Sequence, residues 1–256
     1  VGSEMCIRDR GMAIAPLVIS YLIFHGTPLH DIVTKQFIIP LIILILIMLI
    51  ITILVGKTQM PSIDNVRQVP GEKFDKSVWS FRNLKLGVWG IFFYVGIEVA
   101  VGANVNMYAS ELGGSFASNA THMAALYWGL LLLGRFLGSF IKQVPSEKQL
   151  VIASIGAIVL LVLAMLTANP WILTLIGFFH SIMWPAIFTL ATDQLGKYTT
   201  KASGVLTMGV IGGGIIPLLQ GIFADVMGGN WLWTWLLVIA GEAYILYYGL
   251  NGYKQH

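Results

Sequence analysis

The chain has 256 residues, of which 57% are apolar and only 11% are charged, and its mean hydropathy is +0.80. A water-soluble domain carries about a quarter charged residues, so this composition excludes an ordinary soluble protein. The formal net charge of +3 does not indicate a nucleic-acid partner, because the basic residues lie in loops between apolar segments, where they suit anionic lipid headgroups. A single cysteine, Cys6, excludes a disulfide or a cysteine-based metal site within these residues.

The first ten residues differ in character from the rest of the chain. Residues 1–10 (VGSEMCIRDR) are polar and mixed in charge, without the apolar core of a signal peptide. We interpret them as a non-native or misread leader on a truncated chain. Residues 11–24 (GMAIAPLVISYLIF) are apolar but too short to cross a bilayer, which takes about 20 residues per helix. They are interpreted as the second half of a membrane span.

Longer apolar segments come next, and each is long enough to span a membrane. They are 37–55, 86–109, 122–141, 149–167, 170–194, 203–224 and 231–250. The long connection 56–85 is rich in charge and contains Pro61, Pro70 and Gly71, which favours a linker. The sequence therefore predicts an all-α, polytopic membrane protein with tight turns between most of its helices.

Lys and Arg are distributed unevenly between the loops, and this predicts the orientation. Successive loops alternate between basic ones and ones that lack Lys and Arg, with Lys35 as the exception. The basic loops are 56–85, 142–148, 196–202 and the tail; the loops without Lys or Arg are 110–121, 167–170 and 225–230. Because short basic loops stay in the cytoplasm, both ends of the chain are predicted to be cytoplasmic.

Glycines recur on several predicted helices at spacings that suit close helix packing. The positions are Gly134 and Gly138, Gly209 and Gly213, and Gly212 to Gly214. Small residues let membrane helices approach closely, because lipid provides no hydrophobic drive for association. Close packing is the favoured interpretation, and a moving hinge near Pro217 is the alternative.

Several stretches resemble a known family. Residues 90–108 (GIFFYVGIEVAVGANVNMY) and 180–225 (HSIMWPAIFTLATDQLGKYTTKASGVLTMGVIGGGIIPLLQGIFAD) are similar to the seventh, tenth and eleventh helices of bacterial sugar permeases. These permeases form the fucose–galactose–glucose:proton symporter branch of the major facilitator superfamily. Residues 126–138 (LYWGLLLLGRFLG) resemble the eighth helix of that superfamily, and residues 11–24 resemble the fifth helix of the branch. The likeness covers nearly everything after residue 10.

The resemblance implies a fold of two six-helix halves. Residues 11–55 would be the end of the N-terminal half (part of helix five and helix six), and 56–85 the cytoplasmic linker between the halves. Residues 86–250 would be the C-terminal six-helix half, followed by the cytoplasmic tail 251–256. The expected partners are the lipid bilayer, a sugar and the missing N-terminal half.

The resemblance also implies a function. It is secondary active transport of a hexose or deoxyhexose across the bacterial cytoplasmic membrane, by alternating access around a site near the midplane between the halves. The implied coupling ion is a proton, with sodium as the alternative, and no cofactor is expected. In fucose permeases the proton-carrying carboxylates lie on the first and fourth helices, so none of them can be assigned to a residue of this chain. Without helices one to four, half of the cavity would be open to lipid, and we expect no transport by the chain alone.

Glu98 is the sharpest candidate for a functional residue. It lies in the middle of an apolar span, where a carboxylate is costly unless it faces a cavity or a partner. Tyr94 shares its helix face. The alternative is a protonated glutamate that hydrogen-bonds across the bundle as a structural contact. The resemblance places Glu98 on a helix that lines the cavity and favours a sugar contact, a gate or a proton site.

Other polar and aromatic side chains are candidate sugar contacts. Asn106 can approach the face of Glu98, whereas Asn104 points elsewhere, and interhelical amide bonding is an open alternative for both. His180, Trp184 and Phe188 recur at a spacing of four, so a stacking surface for a sugar competes with a core stripe that holds a satisfied histidine. Related permeases more often have Asn where His180 stands, which leaves the substrate open.

Further polar residues are ranked lower. Gln220 and Glu242 lie on helices that mostly support the bundle in this fold, and Glu242 has a pairing with a neighbouring helix as an alternative. Arg135 and Asp193 lie near predicted cytoplasmic helix ends, where snorkelling explains them. The resemblance instead implies that Arg135 is part of a cytoplasmic gate, with Asp193 as a candidate partner.

No pattern in the sequence indicates an enzyme or a metal site. His25, His30 and Asp31 match no metal-ligand spacing, and the sequon at Asn119 is interpreted as a chance occurrence. The sequence has no phosphate-binding glycine loop, HExxH motif or nucleophile elbow. The alternatives to a sugar transporter are a carrier of the same fold for another small solute and a membrane protein that does not transport.

Overall fold

The structure is a computed structural model that describes residues 34–57, 75–138, 140 and 143–254. All regular elements in these ranges are helical, as predicted. The described residues fall into two compact units, the first ending at Asp75 and the second beginning at Lys76. The predicted leader 1–10, the short span 11–24 with the nearby histidines, and most of the linker lie outside the described ranges.

The first unit contains one long helix, α1 (Thr34–Lys57). It matches the predicted span 37–55 and is apolar on all sides between Ile38 and Leu54. A helix without a polar face is typical of a membrane-spanning segment. Lys57 lies in its last turn, at the end that the charge distribution assigns to the cytoplasm, where a cation also suits the negative end of the helix dipole.

The second unit is a bundle of helices. They are α2 (Arg82–Leu112), α3 (Gly114–Ser118), α4 (Ala120–Gly138), α5 (Ser146–Thr167), α6 (Pro170–His180), α7 (Met183–Thr192), α8 (Thr199–Thr207), α9 (Gly212–Val226) and α10 (Trp235–Tyr247). Short 3₁₀ turns occur at Val78–Ser80, Gly196–Tyr198, Met208–Ile211 and Leu232–Thr234, and a π-helical turn at Tyr248–Gly252 follows α10.

Within the described ranges, four stretches are long and apolar enough to cross a membrane by length and composition. They are Arg82–Leu112, Ser146–Thr167, Pro170–Thr192 and Gly196–Val226.

Helix α2 is the central element of the bundle. It packs against α4, α6, α7, α9 and α10, so residues on several of its faces are buried. Ile91, Ile97 and Val101 have no exposed surface. Polar side chains on α2 therefore point at other helices and must find partners there.

Glycines bring α9 and the turn before it into backbone contact with α2. A Cβ at Gly209 would lie 2.6 Å from the carbonyl oxygen of Val88, and one at Gly212 would collide with the carbonyl group of Phe92. The close-packing interpretation is confirmed for Gly209, Gly212 and Gly213, whereas a Cβ at Gly214 would meet no atom within 4 Å. The helix also tightens into a 3₁₀ turn at Met208–Ile211, so the predicted span 203–224 is not one regular helix.

The predicted span 170–194 is also interrupted, because α6 ends at His180 and α7 begins at Met183. Pro185 explains the break. Proline has no N–H, so it cannot donate to the carbonyl of Ser181, four residues earlier, and its ring crowds that carbonyl. The break places His180 and Ser181 near the middle of the stretch Pro170–Thr192, which is long and apolar enough to cross a membrane.

The beginning of α2 holds the ends of two other helices. Arg82 Nη1 donates to the carbonyl oxygens of Asn251 (3.0 Å) and Lys254 (2.7 Å). Asn83 Nδ2 donates to the carbonyls of the last residues of α7, including Ala191 at 3.2 Å. Because α2 begins at Arg82 and Lys76 N bonds Tyr198 Oη at 3.1 Å, the last ten residues of the predicted linker 56–85 belong to the bundle.

Candidate functional site

A buried ion pair lies at the centre of the bundle. Glu98 Oε1 on α2 is 3.1 Å from Arg135 Nη2 on α4, and these side chains are only 4% and 7% exposed. Arg135 Nη2 also donates to Tyr94 Oη at 3.3 Å. Each charge would be strongly unfavourable in this environment without the other. The predicted face of Tyr94 and Glu98 therefore meets a cation from a neighbouring helix.

Arg135 also holds the break between α6 and α7. Its Nε donates to the carbonyl oxygen of Ser181 at 3.2 Å, the group that Pro185 leaves without a helical partner. Gly134 allows this approach, since a Cβ there would lie 2.8 Å from the carbonyl oxygen of Phe178. The alternative in which Arg135 snorkels at a cytoplasmic helix end does not fit the structure, because its guanidinium contacts α2 and the end of α6 and is only 7% exposed.

A second buried cluster surrounds His180. Its Nδ1 lies 2.7 Å from Tyr127 Oη on α4, and its Nε2 lies 2.6 Å from Glu242 Oε1 on α10. Tyr127 Oη also donates to the carbonyl oxygen of Glu98 at 3.0 Å. Polar contacts therefore run without interruption from α10 through His180 and Tyr127 to α2.

Two members of this cluster were ranked low or missed from the sequence. Glu242 was assigned a supporting role, with a pairing to a neighbouring helix as the alternative, and the structure shows that pairing. Tyr127 was not singled out. It precedes Arg135 by eight residues and so shares its helix face, which is the signal that points to it.

Trp184 presents an aromatic surface beside the ion pair. The ring centroids of Trp184 and Tyr94 are 6.2 Å apart, and Tyr94 is also 6.2 Å from His180. Tyr94 is fully buried, whereas Trp184 is only partly buried, as is Phe188. Part of the Trp184 ring is thus available to another molecule.

The candidate amides behave differently from one another. Asn104 Nδ2 donates to Gln220 Oε1 at 2.9 Å, and Gln220 Nε2 donates to Thr234 Oγ1 at 3.1 Å. These contacts join α2 to α9 and to the turn before α10, and they match the predicted alternative of interhelical amide bonding. Asn106 Oδ1 is buried without a hydrogen-bond partner in the described part of the chain.

Asp193 lies just after α7, at the helix end where the sequence placed it. Its main-chain carbonyl accepts a hydrogen bond from Asn83 Nδ2 at 3.2 Å, and its carboxylate accepts one from Gln194 Nε2 at 3.4 Å. The gating roles of Asp193 and Arg135 stay predictions. Among the residues that the structure covers, no group of three or more His, Cys, Asp or Glu side chains could hold a metal ion.

Known proteins are similar to this chain in sequence and in fold. The family model of the Major Facilitator Superfamily matches residues 10–217. A glucose/galactose transporter of Brucella abortus is 36% identical over 222 residues, which are 84% of this chain and 53% of the relative. The L-fucose-proton symporter of Escherichia coli K12 is 28% identical over 199 residues, which are 74% of this chain and 45% of that protein.

A Helicobacter pylori relative is 34% identical over 263 residues and matches 97% of this chain and 64% of its own length. The chain thus spans about half to two thirds of the length of these relatives. In three dimensions it is similar to the crystal structure of the transporter FucP in the outward conformation, with a TM-score of 0.67 and 22% identity over 97% of this chain and 66% of that one. This likeness shows the fold.

Proposed function

Because the chain belongs to the Major Facilitator Superfamily and is a multi-pass membrane protein, we propose that it serves secondary active transport of a hexose or deoxyhexose. Transport would proceed by alternating access across the bacterial cytoplasmic membrane, with both ends of the chain in the cytoplasm. The sugar class is supported by the relatives, whose names specify glucose and galactose or L-fucose.

The observation that carries this proposal is the partly exposed Trp184 ring next to the buried Glu98–Arg135 pair. A sugar has an apolar C–H face and a rim of hydroxyls, so its site needs an aromatic surface together with hydrogen-bond donors and acceptors. Trp184 and Tyr94 would supply the surface. Glu98 and Arg135 would supply an acceptor and a donor, and the unpartnered Asn106 oxygen a further acceptor.

Arg135 is proposed to act as a latch as well. It bonds Glu98 on α2 and the Ser181 carbonyl at the helix break at the same time. A movement of α7 relative to α2 would have to break one of these contacts. A sugar hydroxyl that competes for Glu98 would weaken the first contact and so favour the movement. Asp193, at the far end of α7, is the proposed second gating residue.

Two residues that were predicted to contact the sugar, Asn104 and Gln220, are better explained as contacts that stabilise the helix bundle. Asn104 and Gln220 satisfy each other and Thr234, so a sugar would have to displace existing hydrogen bonds to reach them. We propose that they hold α9 and α10 against α2 and affect transport only through the stability of the bundle.

Uptake of labelled glucose, galactose and L-fucose by the complete gene product in proteoliposomes tests the proposal. We expect uptake of at least one sugar, driven by an inward proton gradient. W184A should raise KM about fivefold, because an aromatic contact contributes about 1 kcal/mol. The matched control is W233A, since Trp233 is 53% exposed and lines an apolar surface groove with Val162, Leu166 and Leu236.

The other outcomes decide between the alternatives. Exchange of a different solute without exchange of these sugars would contradict the proposed substrate class. It would support the alternative of a carrier with the same fold for another small solute. Absence of counterflow for every solute tested would support a membrane protein that does not transport. Uptake that requires sodium and does not respond to the proton gradient would identify sodium, instead of a proton, as the coupling ion.

A further inference from the structure

His180 and Glu242 form a pair whose side chains have no exposed surface. The pair lies between α6 and α10, and Glu242 Oε2 has no hydrogen-bond partner in the described ranges. A carboxylate in such a place is retained at a high cost in desolvation, so a charge or a proton must compensate it. Nothing in the proposed sugar site requires this second carboxylate.

The hydroxyl of Tyr127 cannot donate to both of the acceptors that lie next to it. Tyr127 has a single hydroxyl hydrogen and two acceptors within reach, His180 Nδ1 at 2.7 Å and the carbonyl oxygen of Glu98 at 3.0 Å. If the hydroxyl donates to Nδ1, His180 is neutral, and Nε2 carries its hydrogen and donates to ionised Glu242. If it donates to Glu98, Nδ1 must itself carry a hydrogen and donate to Tyr127.

We propose that His180 and Glu242 together form a binding site for one proton in this half of the protein, and that Tyr127 transmits its occupancy to Glu98. When a proton adds to Nδ1, the bond from Tyr127 to Nδ1 is replaced by a bond from Nδ1–H to Tyr127 Oη. The Tyr127 hydrogen, still covalently attached, turns to the carbonyl oxygen of Glu98. The charge of the pair changes from −1 to zero, whichever partner holds the proton between Nε2 and Oε1.

The surroundings fit such a site. The ionisable groups that face the cluster from the packed helices are Tyr94 and Glu98 on α2 and Tyr127 and Arg135 on α4. The parts of α5, α7 and α9 that pack in the bundle, 150–167, 183–192 and 212–224, carry no ionisable side chain. Among the hydrogen bonds of the described residues, those of Tyr127 Oη connect His180 to Glu98 on α2.

The consequence is a link between a proton and the proposed sugar site. Glu98 takes part through its main chain in the bond to Tyr127 and through its side chain in the bond to Arg135. A change in the hydrogen bonding of the Glu98 carbonyl therefore alters the residue whose side chain is proposed to contact the sugar. This role in coupling rests on the proposed function, whereas the existence of the proton site does not.

The test uses the purified full chain in lipid nanodiscs and two nuclear magnetic resonance signals. Imidazole ¹⁵N labelling reports which nitrogen of each of the five histidines carries hydrogen, and the signal missing from H180Q belongs to His180. Labelling Glu at the carbonyl carbon and Val at the nitrogen isolates the Glu98 carbonyl, because Glu98–Val99 is the one Glu–Val pair in the chain. Both signals are followed from about pH 5 to about pH 9, which includes the range of about pH 5 to 8 in which histidine charge changes occur.

We expect His180 Nδ1 to change between a hydrogen-bearing and a bare nitrogen, with the Glu98 carbonyl signal moving over the same pH interval. In Y127F the carbonyl signal should stop responding. Y244F is the matched control, because Tyr244 Oη donates to a different carbonyl, that of Leu86, at 3.0 Å. Y244F should leave the response of the Glu98 carbonyl as it is in the unmodified chain.

Two results would overturn the proposal. One is a His180 Nδ1 that keeps the same hydrogen over the whole range, and the other is a carbonyl response that persists in Y127F. E242Q gives a second variant should Y127F fail to fold, and the coupled response should be absent from it. These spectra need no transport, so failure of every sugar in the uptake assay would refute the proposed function and leave the proton site to be judged by its own result.

Discussion

Nε of Arg135 donates a 3.2 Å hydrogen bond to the carbonyl oxygen of Ser181, and this contact joins α4 to the break between α6 and α7. Pro185 creates the unsatisfied carbonyl and Arg135 satisfies it. The same guanidinium neutralises Glu98. One side chain therefore stabilises both a backbone irregularity and a buried charge, and the irregularity lies next to the candidate sugar site.

Removing the charge of Arg135 should destabilise the bundle more than removing the charge of Glu98. Each single variant leaves one buried charge without its partner, which costs about 3–5 kcal/mol. R135Q also removes the donors to the carbonyl of Ser181 and to Tyr94 Oη, which E98Q leaves in place. Thermal unfolding in detergent, read by tryptophan fluorescence, measures both. The double variant E98Q/R135Q should lose less stability than the sum of the single variants. Additive losses would contradict the ion pair.

Two neighbouring glycines should respond to alanine in opposite directions. G212A should lower stability by about 1–3 kcal/mol, because the new methyl group would collide with the carbonyl of Phe92 and push α9 away from α2. G214A has no atom within 4 Å of the new carbon. It should raise stability by up to about 1 kcal/mol through the better helix propensity of alanine. Equal effects in the same unfolding assay would contradict the close approach of these helices.

Arg82 should stabilise the end of the chain. In R82Q the carbonyls of Asn251 and Lys254 lose a charged donor, so we expect a loss of about 1–3 kcal/mol. Faster proteolysis of the tail should accompany it. K85Q is the matched control on the same helix, because Lys85 is exposed and the variant changes the net charge equally. A tail that is cleaved at the same rate in R82Q and K85Q would argue against this cap.

The amide contacts between α2 and α9 should affect stability without affecting sugar affinity. Q220L leaves Asn104 Nδ2 without its acceptor, which costs about 1–3 kcal/mol, whereas Thr234 keeps its bond to the carbonyl of Trp231. We expect a lower melting temperature and an unchanged KM in the complete transporter. A rise in KM comparable to that of W184A would instead return Gln220 to the sugar site.

The positions of the candidate residues could be read from the sequence more readily than their partners. Glu98 stands out because a carboxylate within an apolar run is rare, and the spacing of Tyr94 to Glu98 places both on one face. The same reasoning placed Asn104 on a different face, and the structure directs it to α9. The snorkelling alternative for Arg135 does not fit the structure, because the distance of a residue from the end of an apolar run is a poor measure of its burial. The gating role of Arg135 stays a prediction.

The break between α6 and α7 at Pro185 was not predicted and appears only in the structure. The sequence by itself determined the all-helical membrane fold and the glycine positions that suit close packing. These properties depend on runs of neighbouring residues, whose hydropathy and backbone preferences are local. Only the tertiary structure decided that Arg135 pairs with Glu98, and that His180 lies between Tyr127 and Glu242. These partners are 37, 53 and 62 positions apart in the chain. Their contacts depend on how far each helix is rotated and shifted against its neighbours, which packing across the whole bundle sets.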